Sequence, residues 1–181
     1  MFTLSHRARI ATAAVVIGAV LAAGGTALAI NRSHSTALPR TPYPACTASG
    51  LVNWMDTQGN GALGTIYYNL KFTNISGHAC TMNGYPGVSA VSLANAQLGS
   101  AASRDTAAVH PYVLVNGRSV TAVLGIVEAG NFTPSACHMT YAGGLRVYAP
   151  NQTVARIIPF PFEACSKKGP IYLHVGPVKT P

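Results

Sequence analysis

The segment Leu63-Gly64-Thr65-Ile66-Tyr67-Tyr68-Asn69-Leu70-Lys71-Phe72-Thr73-Asn74 decides the fold class. Ile66, Tyr68, Leu70 and Phe72 alternate with Tyr67, Asn69, Lys71 and Thr73. A period of two puts one set on each face of a strand, so one face of this segment is expected inside and the other in water. Gly59-Asn60-Gly61 before it supplies a turn. Similar segments follow on both sides: Leu51–Asp56, Val88–Leu93, Val109–Val115, Ser119–Val127, Leu145–Ala149, Val154–Ile158 and Ile171–Val175. In Ser119–Val127, Val120, Ala122, Leu124 and Ile126 share one face. Asn116-Gly117 between two of these runs is a strong hairpin signal, because both residues tolerate positive φ. Ser89–Ala102 is Ala-rich, yet its caps are weak and Gly99 interrupts it. A strand, a turn at Asn95-Ala96 and a short return fit it better than a helix. About eight short strands with Gly/Pro turns, and no alternating helices, predict an all-β, immunoglobulin-like β-sandwich. The single Trp, Trp54, is expected in its core, a ligand-stacking platform being the alternative.

The chain before this domain has a different character. Met1–Ile10 is short and basic, with His6, Arg7 and Arg9. Ile10–Ile30 then runs 21 residues without a charged side chain and closes on Ala27-Leu28-Ala29, a small-x-small pattern. The run predicts an apolar helix. Its length is enough to span a bilayer, whereas its Ala-rich composition and Gly24-Gly25 fit a cleaved export signal. Residues 1–30 are therefore read as a signal peptide or an N-terminal membrane anchor. Either way the basic end stays inside and the remaining chain goes out. There is no Arg-Arg pair for twin-arginine export, and the first cysteine, Cys46, is too late for a lipid-anchor site. Residues 31–45 carry Pro39, Pro42 and Pro44 and read as a semi-rigid spacer. The domain proper is 46–181, a length suited to one core.

Charge and cysteines bound its function. From Cys46 to Pro181 there are eight Lys/Arg and four acids (Asp56, Asp105, Glu128 and Glu163), a net charge of +4. The basic residues are dispersed, and only Lys167-Lys168 are adjacent, which reads as a solvated loop. Nucleic acid, which requires a clustered basic stripe, is not an expected partner. Weak attraction to an acidic polymer or lipid is compatible with the charge. Cys46, Cys80, Cys137 and Cys165 in an exported chain read as two disulfides. Of the three connectivities, Cys46–Cys80 with Cys137–Cys165 is favoured because each pair staples one half of the domain. His78-Ala79-Cys80 and Cys137-His138-Met139 hint at a soft-metal site, but the cysteines lack the close pairing of zinc sites, and the adjacent Cys-His-Met lacks blue-copper spacing. No metal ligand and no cofactor is assigned.

Catalytic signatures are equally sparse. There is no G-x-S-x-G and no H-E-x-x-H, and His78, His110, His138 and His174 are scattered. Asp56 and Asp105 lie near turn signals, with nothing in the spacing to join them. No catalytic residue is assigned and no enzyme is expected.

Gly61-Ala62-Leu63-Gly64-Thr65-Ile66-Tyr67, the run Phe72-Thr73-Asn74-Ile75-Ser76-Gly77, and Cys80-Thr81-Met82-Asn83-Gly84-Tyr85-Pro86-Gly87-Val88 carry a family resemblance. Gly144-Leu145-Arg146-Val147-Tyr148-Ala149-Pro150-Asn151 and Val175-Gly176-Pro177-Val178 extend it. Over about Cys46–Val178 the chain resembles the actinobacterial domain of unknown function 4232, found in exported proteins and lipoproteins. The Cys-Thr-x-x-Gly-Tyr-Pro-Gly-Val run is the most specific part. The resemblance implies an extracytoplasmic β-sandwich with two disulfides and brings no catalytic residues. Many relatives carry a lipid-anchor cysteine that this chain lacks. The bacterial setting makes the N-x-S/T sequons at Asn31, Asn74, Asn131 and Asn151 chance products of an Asn/Ser/Thr-rich composition.

The expected function is a non-catalytic extracytoplasmic binding or interaction module of the bacterial cell envelope. Its partner would be a cell-wall polymer or an envelope protein, and the membrane would be met only through the N-terminal segment. The alternative is a structural or assembly domain without a small ligand, with a hydrolase a distant third. The Gly77–Gly87 turn region is one candidate surface, with Tyr85 as an aromatic contact, although Tyr85 packing beneath a Pro86-Gly87 turn is the preferred reading.

Overall fold

The computed structural model describes residues 42–181. The expected signal or anchor at 1–30 and most of the spacer lie outside the described residues. The described part is all-β apart from short turns of helix. Its strands are β1 (Leu51–Met55), β2 (Asn60–Ala62), β3 (Thr65–Asn74), β4 (Cys80–Met82), β5 (Gly87–Val91), β6 (Gln97–Leu98), β7 (Ser103–Arg104), β8 (Tyr112–Leu114), β9 (Ser119–Val127), β10 (Met139–Tyr148), β11 (Ala155–Cys165) and β12 (Leu173–Val175). One helical turn, α1 (Pro134–Cys137), precedes β10. No helix of the described residues is long and apolar enough to cross a membrane.

Two sheets form the sandwich. The larger runs β1-β3-β9-β12-β7, with β2 folded back on β3, and the smaller runs β11-β10-β5-β6. A separate ladder joins β4 to β8. The alternation that predicts β3 is realised: Leu70 and Phe72 are fully buried, Ile66 and Tyr68 half-buried on the same face, and Asn69 exposed on the other. On β9 Val120, Ala122, Leu124 and Ile126 are all buried. They meet Leu145 and Val147 of β10 and Val88 and Ala90 of β5 in one core. Burying a large aliphatic or aromatic side chain contributes about 1.5–3 kcal/mol, so this double row is what makes the two sheets stack.

Several elements depart from the expectation, each for a physical reason. The Asn116-Gly117 turn forms, with Gly117 at φ +80° and Arg118 N–H donating to Val115. Its arms do not pair as a hairpin. β8 pairs with β4, while β9 lies between β3 and β12. Gly117 N–H and Asn74 C=O close at 2.6 Å, so the turn is fastened to the end of β3 instead. β11 runs on to Cys165 through Pro159 and Pro161, well beyond the expected stop at Ile158. It is the outermost strand of its sheet, where a missing N–H is tolerated. The ladder is irregular there, the register stepping from Ala142↔Phe162 to Gly144↔Pro159. Gly144 is required at that step because a Cβ would collide with the Ile158 carbonyl.

Trp54 is not in the core. It is 39% exposed, on the outer side of β1, while Leu51 and Met55 face inward.

Candidate functional site

The outer face of the larger sheet gathers the polar and aromatic side chains that β1 and β3 turn away from the core. Trp54 stands opposite Lys71 in the β1–β3 register. Its indole N–H donates to Thr73 Oγ1 at 2.9 Å, and Thr73 in turn shares a 2.8 Å hydrogen bond with Ser119 on β9. Lys71 Nζ lies 4.5 Å from the Trp54 ring centroid and 3.0 Å from Asp56 Oδ1. Asn69 donates to the other Asp56 oxygen at 3.3 Å. The hydrogen bond from Lys71, helped by that from Asn69 and opposed by desolvation, holds the Asp56 carboxyl below the usual carboxylate range. Asp56, Thr57, Gln58, Asn60 and Asn69 line a polar cleft of about 490 Å³ next to this cluster. An exposed indole braced by hydrogen bonds, beside a cleft rich in amide and carboxylate groups, can accept a ligand with apolar faces and hydroxyl groups.

Across the middle of the same sheet, Tyr67 of β3, Gly125 of β9 and His174 of β12 lie in one cross-strand row. Gly125 has to be glycine because the His174 ring occupies the space a Cβ would take. Tyr67 meets the ring edge-on at 5.6 Å. His174 Nδ1 is 3.0 Å from Asp105 Oδ1; the carboxylate accepts, so Nδ1 carries the proton. Asp56 follows β1 and Asp105 follows β7, the two ends of the order β1-β3-β9-β12-β7. Four interstrand spacings of about 4.8 Å separate these edges by roughly 19 Å. Glycosidase carboxyl pairs stand about 5–9.5 Å apart.

The remaining residues singled out from the sequence serve local structure. Tyr85 is half-buried. Its hydroxyl donates to the Asp105 carbonyl at 2.7 Å and accepts from Ala107 N–H at 3.2 Å, so it pins the loop after β7 to the Gly84–Gly87 turn. Arg104 lies over its ring at 5.5 Å. Two of the stretches carrying the family resemblance, Cys80–Val88 and Gly144–Asn151, meet here, because Asn151 Nδ2 donates to the Asn83 carbonyl and Gly84, Tyr85, Tyr148 and Asn151 share one polar recess. Cys46–Cys80 closes with Cα atoms 4.9 Å apart and Cys137–Cys165 with 4.5 Å. The cysteine sulfurs of the two sequence hints of a soft-metal site, Cys80 and Cys137, are thus taken up by disulfides. Among the described residues no group of three or more His, Cys, Asp or Glu side chains is placed to hold a metal. His78 and His110 are exposed, and His138 ends α1 in the left-handed conformation at φ 48°. Lys167 and Lys168 are exposed, and Lys167 donates to the Ser135 carbonyl.

Two features were not found from the sequence. Asn74 is fully buried, and all its amide capacity is used: Nδ2 donates to the His78 and Leu114 carbonyls, and Oδ1 accepts from Ser76 N–H and Oγ. As the start of a sequon it carried no structural signal. The Gly125–His174–Asp105 arrangement had one available clue, a glycine inside an otherwise apolar strand, which marks a close approach.

Fold and bonding define a class: a small β-sandwich closed by two disulfides, of the kind built for oxidising compartments outside the cytosol. The model of one family, Domain of unknown function (DUF4232), matches residues 46–179, and the chain belongs to that family. Comparison with curated proteins and with solved structures returned no match.

Proposed function

We propose that residues 46–181 form a non-catalytic binding module of the bacterial cell envelope, with the Trp54 face as its ligand surface and a hydroxyl-rich wall polymer as its ligand. The observation that carries this reading is the outward placement of the single Trp, held by Thr73 and Lys71 and flanked by the Asp56–Asn69 cleft. A solitary exposed indole has no role in stacking the sheets. Sugar rings present C–H faces to an aromatic surface and hydroxyls to amides and carboxylates. The net charge of +4 adds attraction to an acidic polymer. The wide separation of Asp56 and Asp105, and the engagement of each with a basic partner, support binding without hydrolysis. The disulfides and the basic-apolar start of the chain support placement outside the cytoplasm, with 1–30 as signal or anchor. The N-terminal residue of the mature protein distinguishes those two: Ile30 in the medium means release, and Met1 in membranes means anchoring.

Purified wall glycans should bind the domain saturably. Trp54→Ala should weaken that binding about tenfold while shifting stability by under ~1 kcal/mol, as for an exposed side chain. Binding only to an envelope protein would replace this reading with that of an assembly domain. Release of cleaved glycan by the purified domain would overturn the non-catalytic assignment.

A further inference from the structure

The outer face of the larger sheet continues past Trp54 in one cross-strand row. Trp54 stands opposite Lys71, Lys71 opposite Thr121, and Thr121 opposite Lys179. Thr121 and Lys179 exchange both backbone hydrogen bonds at 2.8 Å, so their side chains leave the same face. Val120 and Ala122 on either side of Thr121 are buried in the core, so Thr121 and its row face outward. Each acid of this face is already engaged, Asp56 by Lys71 and Asp105 by His174. Lys179 is exposed and makes no ion pair among the described residues. The row therefore ends on an uncompensated positive charge. Beside it, Thr121 is 4% exposed and its hydroxyl has no hydrogen-bond partner. A buried hydroxyl without a partner is costly, and valine would fill the same space without that cost.

We infer that Thr121 and Lys179 form an anion subsite of the Trp54 face, and that the ligand is an acidic glycan. One sugar ring lies on the indole, and a carboxylate or phosphodiester further along the ligand meets Lys179 and accepts from the Thr121 hydroxyl. This rests on the Trp54 face being the ligand surface, and adds to it the charge of the ligand and the place where that charge is read. Three interstrand spacings of about 4.8 Å put the two ends of the row roughly 14 Å apart, so one ligand reaches both only as an oligomer. The lysines on either side of Thr121 have flexible stems that can move from the hydroxyl as the ligand arrives. A neutral glycan leaves the Lys179 charge unanswered. An anionic group answers the charge and the hydroxyl together.

The test uses the intact disulfide-bonded domain and four probes of similar length: a neutral chito-oligosaccharide, an oligogalacturonate, a glycosylated glycerol-phosphate oligomer and a single-stranded oligonucleotide. Calorimetry should show saturable binding of the acidic glycans, about three- to fivefold tighter than the neutral one, with added salt removing the difference. The tighter of the two acidic probes distinguishes a carboxylate from a phosphodiester. Lys179→Gln should lower the affinity for acidic glycans to that for the neutral one and leave the neutral one unchanged. Thr121→Val should weaken the acidic glycans while keeping or raising the thermal unfolding midpoint, because it removes an unpaired buried group without leaving a void. Trp54→Ala should weaken all three glycans. Equal affinity for acidic and neutral glycans would overturn the subsite, as would acidic binding untouched by both Lys179→Gln and Thr121→Val. In either case weaker binding by Trp54→Ala would leave the Trp54 face standing. Absence of any glycan binding would remove the face and the subsite together. Tighter binding of the oligonucleotide than of either acidic glycan would overturn the choice of a glycan.

Discussion

Asn74 shows how much one side chain can hold in a small sandwich. It ends β3, and its amide reaches the 76–78 turn and the last residue of β8 at once. Replacing it by Ala removes a donor from the buried Leu114 carbonyl and from the part-buried His78 carbonyl, and leaves Ser76 without the Oδ1 acceptor; an unpaired buried polar group costs about 1–3 kcal/mol. Asn74→Ala should therefore destabilise the domain by about 2–4 kcal/mol in denaturant unfolding. A loss below about 1 kcal/mol would show that water replaces the amide there. Asp56 titrates in the opposite sense from a buried acid. Its folded pKa is lowered, so its favourable contact is complete above the unfolded carboxylate pKa of about 3.9 and is lost as pH falls through the lower folded value. Carbon-detected titration should place the Asp56 midpoint below that of a free aspartate. Lys71→Met should raise it toward the free value, and an unmoved midpoint would show that Lys71 is not the cause. Residue type alone places Trp54 inside. Strict alternation on β1 puts Asn53 inside and Trp54 outside, against the usual preference of both residue types.

Elements were legible where both neighbours were provided by the same short-range pattern. β3 and β9 pair over nine residues; β3 shows a period of two, and on β9 Val120, Ala122, Leu124 and Ile126 share the inward face. β8 and β9 looked like a hairpin because the turn between them is sound. Whether its arms pair is decided by competition, and β3 offers β9 a longer ladder than the three residues of β8. The expected stop at Ile158 falls just before Pro159, and proline inside a run normally ends a central strand. The position of β11 at the sheet edge removes that objection, and Pro159 and Pro161 there reduce the capacity of the edge to pair with another chain. The double variant Pro159→Val with Pro161→Val should keep the fold and increase self-association, read by light scattering across a concentration series. A strictly monomeric variant over that series would remove the protective role from these prolines.

At the scale of the molecule, the disulfides tie outlying segments to the strands. Cys46–Cys80 fixes the entering strand segment to β4, where Ala45 bridges Thr81, and Cys137–Cys165 fixes α1 to the end of β11. They span 34 and 28 residues, for which the chain-entropy account gives about 3–4 kcal/mol each. Cys46→Ala with Cys80→Ala should therefore lower unfolding free energy by about that amount. Reducing agent should destabilise the native domain and leave the residual stability of a variant lacking all four cysteines unchanged. Equal stability of the oxidised and reduced native domain would mean that the sandwich core alone carries the fold. The buried Tyr172 reports on the same core. Burial pushes its hydroxyl above the usual phenol range, and the group donates to the Leu98 carbonyl at 3.0 Å.

The sequence by itself determined the all-β class, the inward faces of β3 and β9 and the membership of the family. These follow from local alternation, turn residues and motif strings that need no partner to be read. Tertiary structure alone decided which strands are neighbours, and therefore that Trp54 lies at a sheet edge and faces outward. It also decided that Asp56 and Asp105 sit at opposite edges. Exposure and proximity are properties of the packed sheets, and a strand's own pattern carries no record of what the neighbouring strand brings beside it.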